Sequence, residues 1–281
     1  MEPKGFAPIA SINKPFKFQA AWLTHDNFRV FLESKWVKSS PLVPLLKKVG
    51  NDLQEWNREV FHNIFKKKRN LLARITRVQK SLAEQRSRDL IKLESKLCKE
   101  LDEVLEQEEL LWYQRSRIEW IRDGDRNTSF FHLSTISRRW RNNITTIEDI
   151  NSGEWMFEKD KIQQHIVSYF QNLFTAEEQQ ALGPLPTRIF PDFTQRDWNC
   201  LSKPFAKCEV ERVVFEMGSM KAPVPDGFQA LFFRKHWDLV AENVYKIALD
   251  ALNGKGFPEN LNETFIVLIP KVDTPEFATQ F

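Results

Sequence analysis

"FHNIFKKKRNLLARITRVQKSLAEQRSRDLIKLESKLCKELDEVLEQEELL", residues 61–111, holds neither glycine nor proline and repeats its apolar residues every three or four positions. Leu71, Ile75, Val78 and Leu82 form one seam. Leu90, Leu93, Leu97, Leu101, Val104 and Leu111 form a second. Alternating steps of three and four keep such residues on one stripe of a helix, the pattern of a coiled coil. The seam lapses at "EQRSRD", so a turn near Gln85–Asp89 folds the stretch into an antiparallel helical hairpin. One unbroken helix is the competing reading, because no glycine or proline marks the bend. The same spacing already runs upstream through Leu42, Leu46, Val49, Leu53, Trp56 and Val60, which assigns residues 41–110 to the hairpin.

Charge is uneven along it. Residues 61–80 carry Lys66, Lys67, Lys68, Arg69, Arg74, Arg77 and Lys80 and no acid, whereas 101–109 carry five acids and no base. Two arms of opposite sign can pair with each other or be solvated helix faces. A basic arm can also meet a phosphate backbone. The chain as a whole is no polycation, with a net charge of +3 over 281 residues, so affinity for nucleic acid has to come from local patches.

Downstream, "LWYQRSRIEWIRDGDRNTSFFHLSTISRRWRNNI" (111–144) interleaves arginine with aromatic residues. "RDGDRNT" reads as a turn, and a helix capped by Asn127 or Thr128 follows it. Its last turn holds Arg138, Arg139 and Arg141. Cations there suit the helix dipole, and basic residues among aromatic ones equally suit phosphate contact with base stacking. Arg115 and Arg117 belong to the same set. "NNITTIEDINSGEWM" reads as a β-hairpin with Ile144, Thr146 and Ile150 on one strand and a turn at Asn151–Gly153. "EKDKIQQHIVSYFQNLF" is an amphipathic helix with Ile162, Ile166, Tyr169, Phe170 and Leu173 on one side.

Residues 181–193, "ALGPLPTRIFPDF", form a proline-rich linker. Beyond it two short helices lead to "MGSMKAPVPDGF" (217–228), with Gly218 expected to end the second at its C′ position. Pro225 and Gly227 suit the second and fourth places of a type I turn. Asp226 suits a helix cap, with Gln229 completing a capping box. Lys221 stands on this proline-pinned loop, which reads either as an ordinary connection between helices or as a basic loop for phosphate approach. A helix from about Asp238 buries Val240, Val244, Ile247 and Leu252. "ETFIVLIPKV" reads as a buried strand with Lys271 just past its end. Together with residues 1–40, an extended piece and a short helix bearing Phe28, Phe31, Leu32 and Trp36, the chain is mainly α with small β elements.

Several chemistries lack their residues. Cys98, Cys200 and Cys208 are odd in number and show no ligand spacing, so neither a disulfide framework nor a zinc site is expected; they read as reduced, buried or inert thiols of an intracellular protein. No phosphate cradle, nucleophile elbow or zinc-protease motif occurs, and no Asp-Asp pair follows a strand. No catalytic residue, metal or cofactor is expected. No apolar run approaches the roughly 18 residues of a membrane span, so no membrane partner is expected either.

"SRIEWIRDGDRNTSFFHLSTISRRWRNNITTIEDINSGEW" closely resembles the connector between endonuclease and reverse transcriptase in plant LINE-type (non-LTR) retrotransposon polyproteins. "SMKAPVPDGFQALFFRKHWDLV" and "LNETFIVLIPKV" resemble the opening of that family's reverse transcriptase. "KPFKFQAAWLTHDNF" and "LQEWNREVFHNI" resemble the stretch after its endonuclease. The resemblance implies five segments: a post-endonuclease segment over 1–40, the coiled-coil hairpin over 41–110, a basic connector over 111–180, the linker over 181–193, and a truncated reverse transcriptase finger region over 194–281. It places Lys271 where the family approaches the incoming nucleotide's phosphates. It further implies a protein without polymerase or nuclease activity, because the family's metal-binding aspartates fall outside these residues. Two functions are then expected: binding of RNA or DNA through basic patches, or a coiled-coil module that self-associates or persists as a decayed gene product. The family usually has glycine where Val224 stands, and a positive φ at this valine would mark strain.

Overall fold

The computed structural model of the chain describes residues 15–85, 87–118, 128–150, 152–175, 193–258, 261 and 267–281. It is mainly helical, with one small two-stranded antiparallel sheet. Ten α-helices are described: α1 (Phe28–Lys35), α2 (Leu42–Trp56), α3 (Ile64–Glu84), α4 (Arg88–Ser116), α5 (Thr128–Arg141), α6 (Lys159–Phe174), α7 (Gln195–Leu201), α8 (Lys207–Glu216), α9 (Ala230–Lys235) and α10 (Trp237–Leu252). The strands are β1 (Ile147–Glu148) and β2 (Trp155–Met156). The expected turns at "RDGDRNT" and the linker over 181–193 fall, except for Thr128 and Phe193, outside the described residues.

The chain divides into two compact units. One comprises Met1–Thr135 and Phe205–Phe265, the other Ile136–Pro204 and Ile266–Phe281. Residues 16–36 share one core with 228–244.

In the first unit, α3 and α4 form the expected antiparallel hairpin. Gln79 on α3 donates to Glu94 on α4 at 2.9 Å, and Lys68 near the start of α3 pairs with Glu108 near the end of α4 at 2.6 Å. The break falls where the seam lapses. The Gln85 amide closes the end of α3 on the Ser81 carbonyl, and the Ser87 hydroxyl caps α4 by accepting from the Asp89 amide. Leu71, Ile75, Leu97, Val104 and Leu111 are buried, while Leu93 is exposed.

The upstream heptad does not continue the hairpin. A π-turn at Asn57–Phe61 ends α2, and His62 takes a left-handed φ of 62° before α3 begins. Periodicity is preserved across this bend, but the partner changes. Leu46, Val49, Leu53 and Trp56 on α2 are buried in the main core, whereas Val60 is exposed. That core is aromatic: the Trp56 ring meets Trp22, Phe28 and Phe61 at centroid distances of 6.3, 5.5 and 5.9 Å. Such pairs add roughly 0.5–1.5 kcal/mol each beyond area burial.

The chain between α8 and α9 closes against the N-terminal segment. The Gly227 amide donates to the Val224 carbonyl at 2.8 Å, so the turn forms where Pro225 and Gly227 suggest it. Gly227 has φ +80°, and a Cβ there would lie 2.2 Å from the Phe16 carbonyl oxygen; only glycine fits. Its carbonyl accepts from the Phe18 amide at 2.9 Å. Val224 is exposed and has no positive φ, so it carries no strain.

The capping expectations are corrected here. The Asp226 carboxylate accepts from the Phe228 amide at 2.8 Å in a local Asx turn, and α9 starts later, at Ala230. Burial raises the Asp226 pKa. Buried Gln229 donates instead to the Lys221 carbonyl at 2.9 Å. Gly218 has no positive φ: α8 ends at Glu216, its C-cap Met217 is extended, and Arg234 on α9 donates to the Ser219 hydroxyl at 2.6 Å. The helix from Asp238 starts one residue earlier and buries Val240; Leu252 is exposed.

In the second unit the sheet pairs Ile147 with Met156 and Glu148 with Trp155. Ile147 is fully buried and Ile150 exposed, so the strand is shifted from the set read from sequence. Ile147 packs with Ile162 on α6 and with Ala278, and the Glu148 amide donates to the Glu276 carbonyl at 2.7 Å. Leu173 on α6 is exposed. The expected buried strand is not formed over 267–270: Val267 and Ile269 are exposed, and no strand pairs with them among the described residues. An apolar run gains strand geometry only from a hydrogen-bonded neighbour. Its first part, 263–266, lies outside the described residues. The three cysteines are free and exposed, not buried.

His236 is buried between the Phe28 and Phe232 rings at 5.6 and 5.3 Å, with neither ring nitrogen hydrogen-bonded. Burial, aided by Arg29, lowers its pKa to about 4 from an ordinary 6.5. Asp238 and Glu33 act in the opposite direction and Lys235 in the same one as Arg29. The unfolded chain thus takes up this proton first as pH falls, so stability is full above about 6.5 and is lost toward about 4. Denaturant unfolding at pH 7.5 and pH 5 should show a pH-dependent loss that shrinks by on the order of 2 kcal/mol in His236→Phe. Identical pH dependence in the two proteins would refute this role.

Candidate nucleic-acid interface

The antiparallel hairpin sets the site by placing the start of α3 beside the end of α4. The bend at Asn57–His62 is fixed by the His62 amide, which donates to the Asn57 carbonyl at 2.8 Å. Asn63 then takes extended geometry, and its side chain accepts from the Lys66 amide at 3.1 Å, capping α3. Lys66 and Lys67 follow directly, at the positive end of the helix dipole.

An open groove of about 820 Å³ lies at this junction. Its cations are Arg58, Lys66, Lys67 and Arg115, and none of its described lining residues is acidic. Lys66 and Lys67 are exposed on the first turn of α3, and Arg115 reaches the groove from the last turn of α4. The Arg115 guanidinium lies 5.3 Å from the centroid of the Trp112 ring, a cation–π contact. Phe65 lines this groove and also a second pocket of about 390 Å³ that contains Trp112 and His132.

Lys68, Lys271 and Arg141 among the sequence candidates are engaged elsewhere. Lys68 sits one residue past Lys67, turned by about 100° toward α4, where its Nζ pairs with the buried Glu108 carboxylate. Lys271 donates to the Thr279 carbonyl at 3.1 Å. Arg69 is exposed on α3 but does not line the groove, and Arg117 is the left-handed C-cap of α4, with φ 57°. Lys221 is exposed on its loop with its stem over Gly218, away from the groove lining. Arg138, Arg139 and Arg141 belong to the second unit, where Arg141 pairs with Asp273 at 3.5 Å.

Arg58 escapes a reading of the sequence. It lies just before the basic run, and only the bend at Asn57–His62 brings it to the groove. The apolar period runs on through Val60, so nothing in the sequence marks this bend. Among the described residues, no group of three His, Cys, Asp or Glu side chains is placed to hold a metal ion, and no helix is long and apolar enough to cross a membrane. No family model matches the chain.

Lys68 should accordingly behave as a structural residue. Lys68→Met leaves the Glu108 carboxylate buried without its partner, and should lower stability by roughly 1–3 kcal/mol in denaturant unfolding. Adding Glu108→Gln should restore most of that stability; no recovery in the double variant would contradict the pairing.

Proposed function

We propose that the chain binds RNA or DNA through the groove at the α3–α4 junction, as part of a protein of the LINE retrotransposon type that its motifs resemble. The observation that carries this reading is the convergence of Arg58, Lys66, Lys67 and Arg115, from two helices and a bend, on one groove with no acidic lining among the described residues. Like charges assemble at a mutual cost, which a polyanion relieves by displacing its own counterions. The ion pair with Glu108 neutralises Lys68, and Lys66 and Lys67 on the same turn remain exposed at the groove. Binding rather than chemistry is what these residues supply.

The test is fluorescence anisotropy with a labelled oligonucleotide across a salt series. Affinity should fall steeply with salt. Lys66→Glu with Lys67→Glu should weaken binding at least tenfold and flatten the salt slope by about 0.7 for each phosphate that is no longer neutralised. An isotherm indifferent to both salt and charge reversal would overturn the proposal.

A second reading, a hairpin that associates with another copy, has its own support in Leu72, Ile91 and Leu93, which are exposed on the two arms. Light scattering should then show a mass that grows with concentration and reverts in Ile91→Glu. A strict monomer at high concentration would exclude it.

A further inference from the structure

We infer that the ligand of this groove is a single strand rather than a duplex, with the pocket beside it receiving an unpaired base. The inference rests on the nucleic-acid reading above and goes further by naming the form of the strand.

The two cavities differ in character and share one side chain. The larger is cationic and rich in amides, with Asn57, Asn63 and Asn70 among its lining residues. The smaller contains the rings of Phe65, Trp112 and His132. Phe65 lines both, so they adjoin. The rings stand close: Phe65 lies 6.1 Å and His132 4.3 Å from Trp112, the latter edge to face. Phe65 is more than one-third exposed, while Trp112 and His132 are half-buried.

Aromatic side chains beside a basic groove suit a strand that can turn a base out of its stack. Bases stack on aromatic side chains with little regard to sequence, because every base has a π-face. A duplex presents phosphates on its outside but keeps its bases paired, so it can engage the cationic groove and not the aromatic pocket. The pocket volume of about 390 Å³ accommodates one base with its sugar, not a run of them. Lys68 and Glu108 also line this pocket, and their ion pair neutralises its floor. Phosphate attraction therefore belongs to the larger groove, and the smaller one selects on shape and stacking.

The experiment compares four labelled probes of equal length with the full chain: a single-stranded RNA, a single-stranded DNA, a DNA duplex, and an abasic single strand that keeps sugar and phosphate. At least one base-bearing single strand should bind roughly 5- to 100-fold more tightly than both the duplex and the abasic strand, and the RNA and DNA arms show which sugar is preferred. Phe65→Leu, which keeps an apolar side chain at this site, should lower the ratio of base-bearing to abasic affinity by most of that advantage, and an unchanged ratio would overturn the inference. Equal binding of all four probes would overturn the single-strand inference and leave the phosphate reading standing. Binding of none would overturn both.

Discussion

The close approach of two backbones, at Phe16 and Gly227, organises the first unit. A Cβ at residue 227 would sit 2.2 Å from the Phe16 carbonyl oxygen, so the extended segment can lie there only over glycine. Once it does, the Phe18 amide meets the Gly227 carbonyl, and the rings of Phe16 and Phe18 reach Phe228 at 4.9 and 6.3 Å. Gln114 near the end of α4 completes the joint. Its side chain accepts from the Ala20 amide at 2.9 Å, and donates to the Phe18 carbonyl at 2.8 Å and to the Gln229 side-chain oxygen. Distant stretches of the chain thus meet through one amide side chain, whose polar atoms all find partners. The end of α4 is held in place by this joint, which in turn fixes Arg115 one residue further on.

Local patterns are legible wherever the physics that sets them is local. The α3–α4 hairpin follows from two heptad seams and a lapse, and the lapse contains Ser87, a good helix cap. The turn at 224–227 follows from proline and glycine chemistry alone. What is not legible depends on partners far away in sequence. The α2 seam looks continuous with α3 because both keep the same period, yet Trp56, with Phe61 beside it, packs against Trp22 and Phe28 of the N-terminal segment, and the chain bends at Asn57–His62. Ile147 rather than Ile150 turns inward, because Ala278 and Ile162 cover that face and neither is near in sequence. Gln229 has the spacing of a cap, whereas burial gives it the loop carbonyls as acceptors.

The candidate site divides along the same line. The basic run 66–69 is plain in the sequence, but a charge count gives four lysines and arginines equal standing. Helix geometry does not: each successive residue turns by about 100°, so Lys68 faces α4 while Lys66 and Lys67 face the groove. Arg115 joins them only because the helices run antiparallel, and Arg58 only because of the π-turn.

The pairing of Lys68 with Glu108 also separates two properties that a uniformly basic arm would confuse. Glu108 is only 8% exposed, and an isolated carboxylate there would be costly. Lys68 answers that cost and in doing so ties α3 to α4 directly beside the groove. Lys66 and Lys67 on the same turn point into the groove instead and remain solvated. Stability and ligand attraction therefore reside in adjacent residues of one run, and the basic groove is held in register by a charge that is itself neutralised.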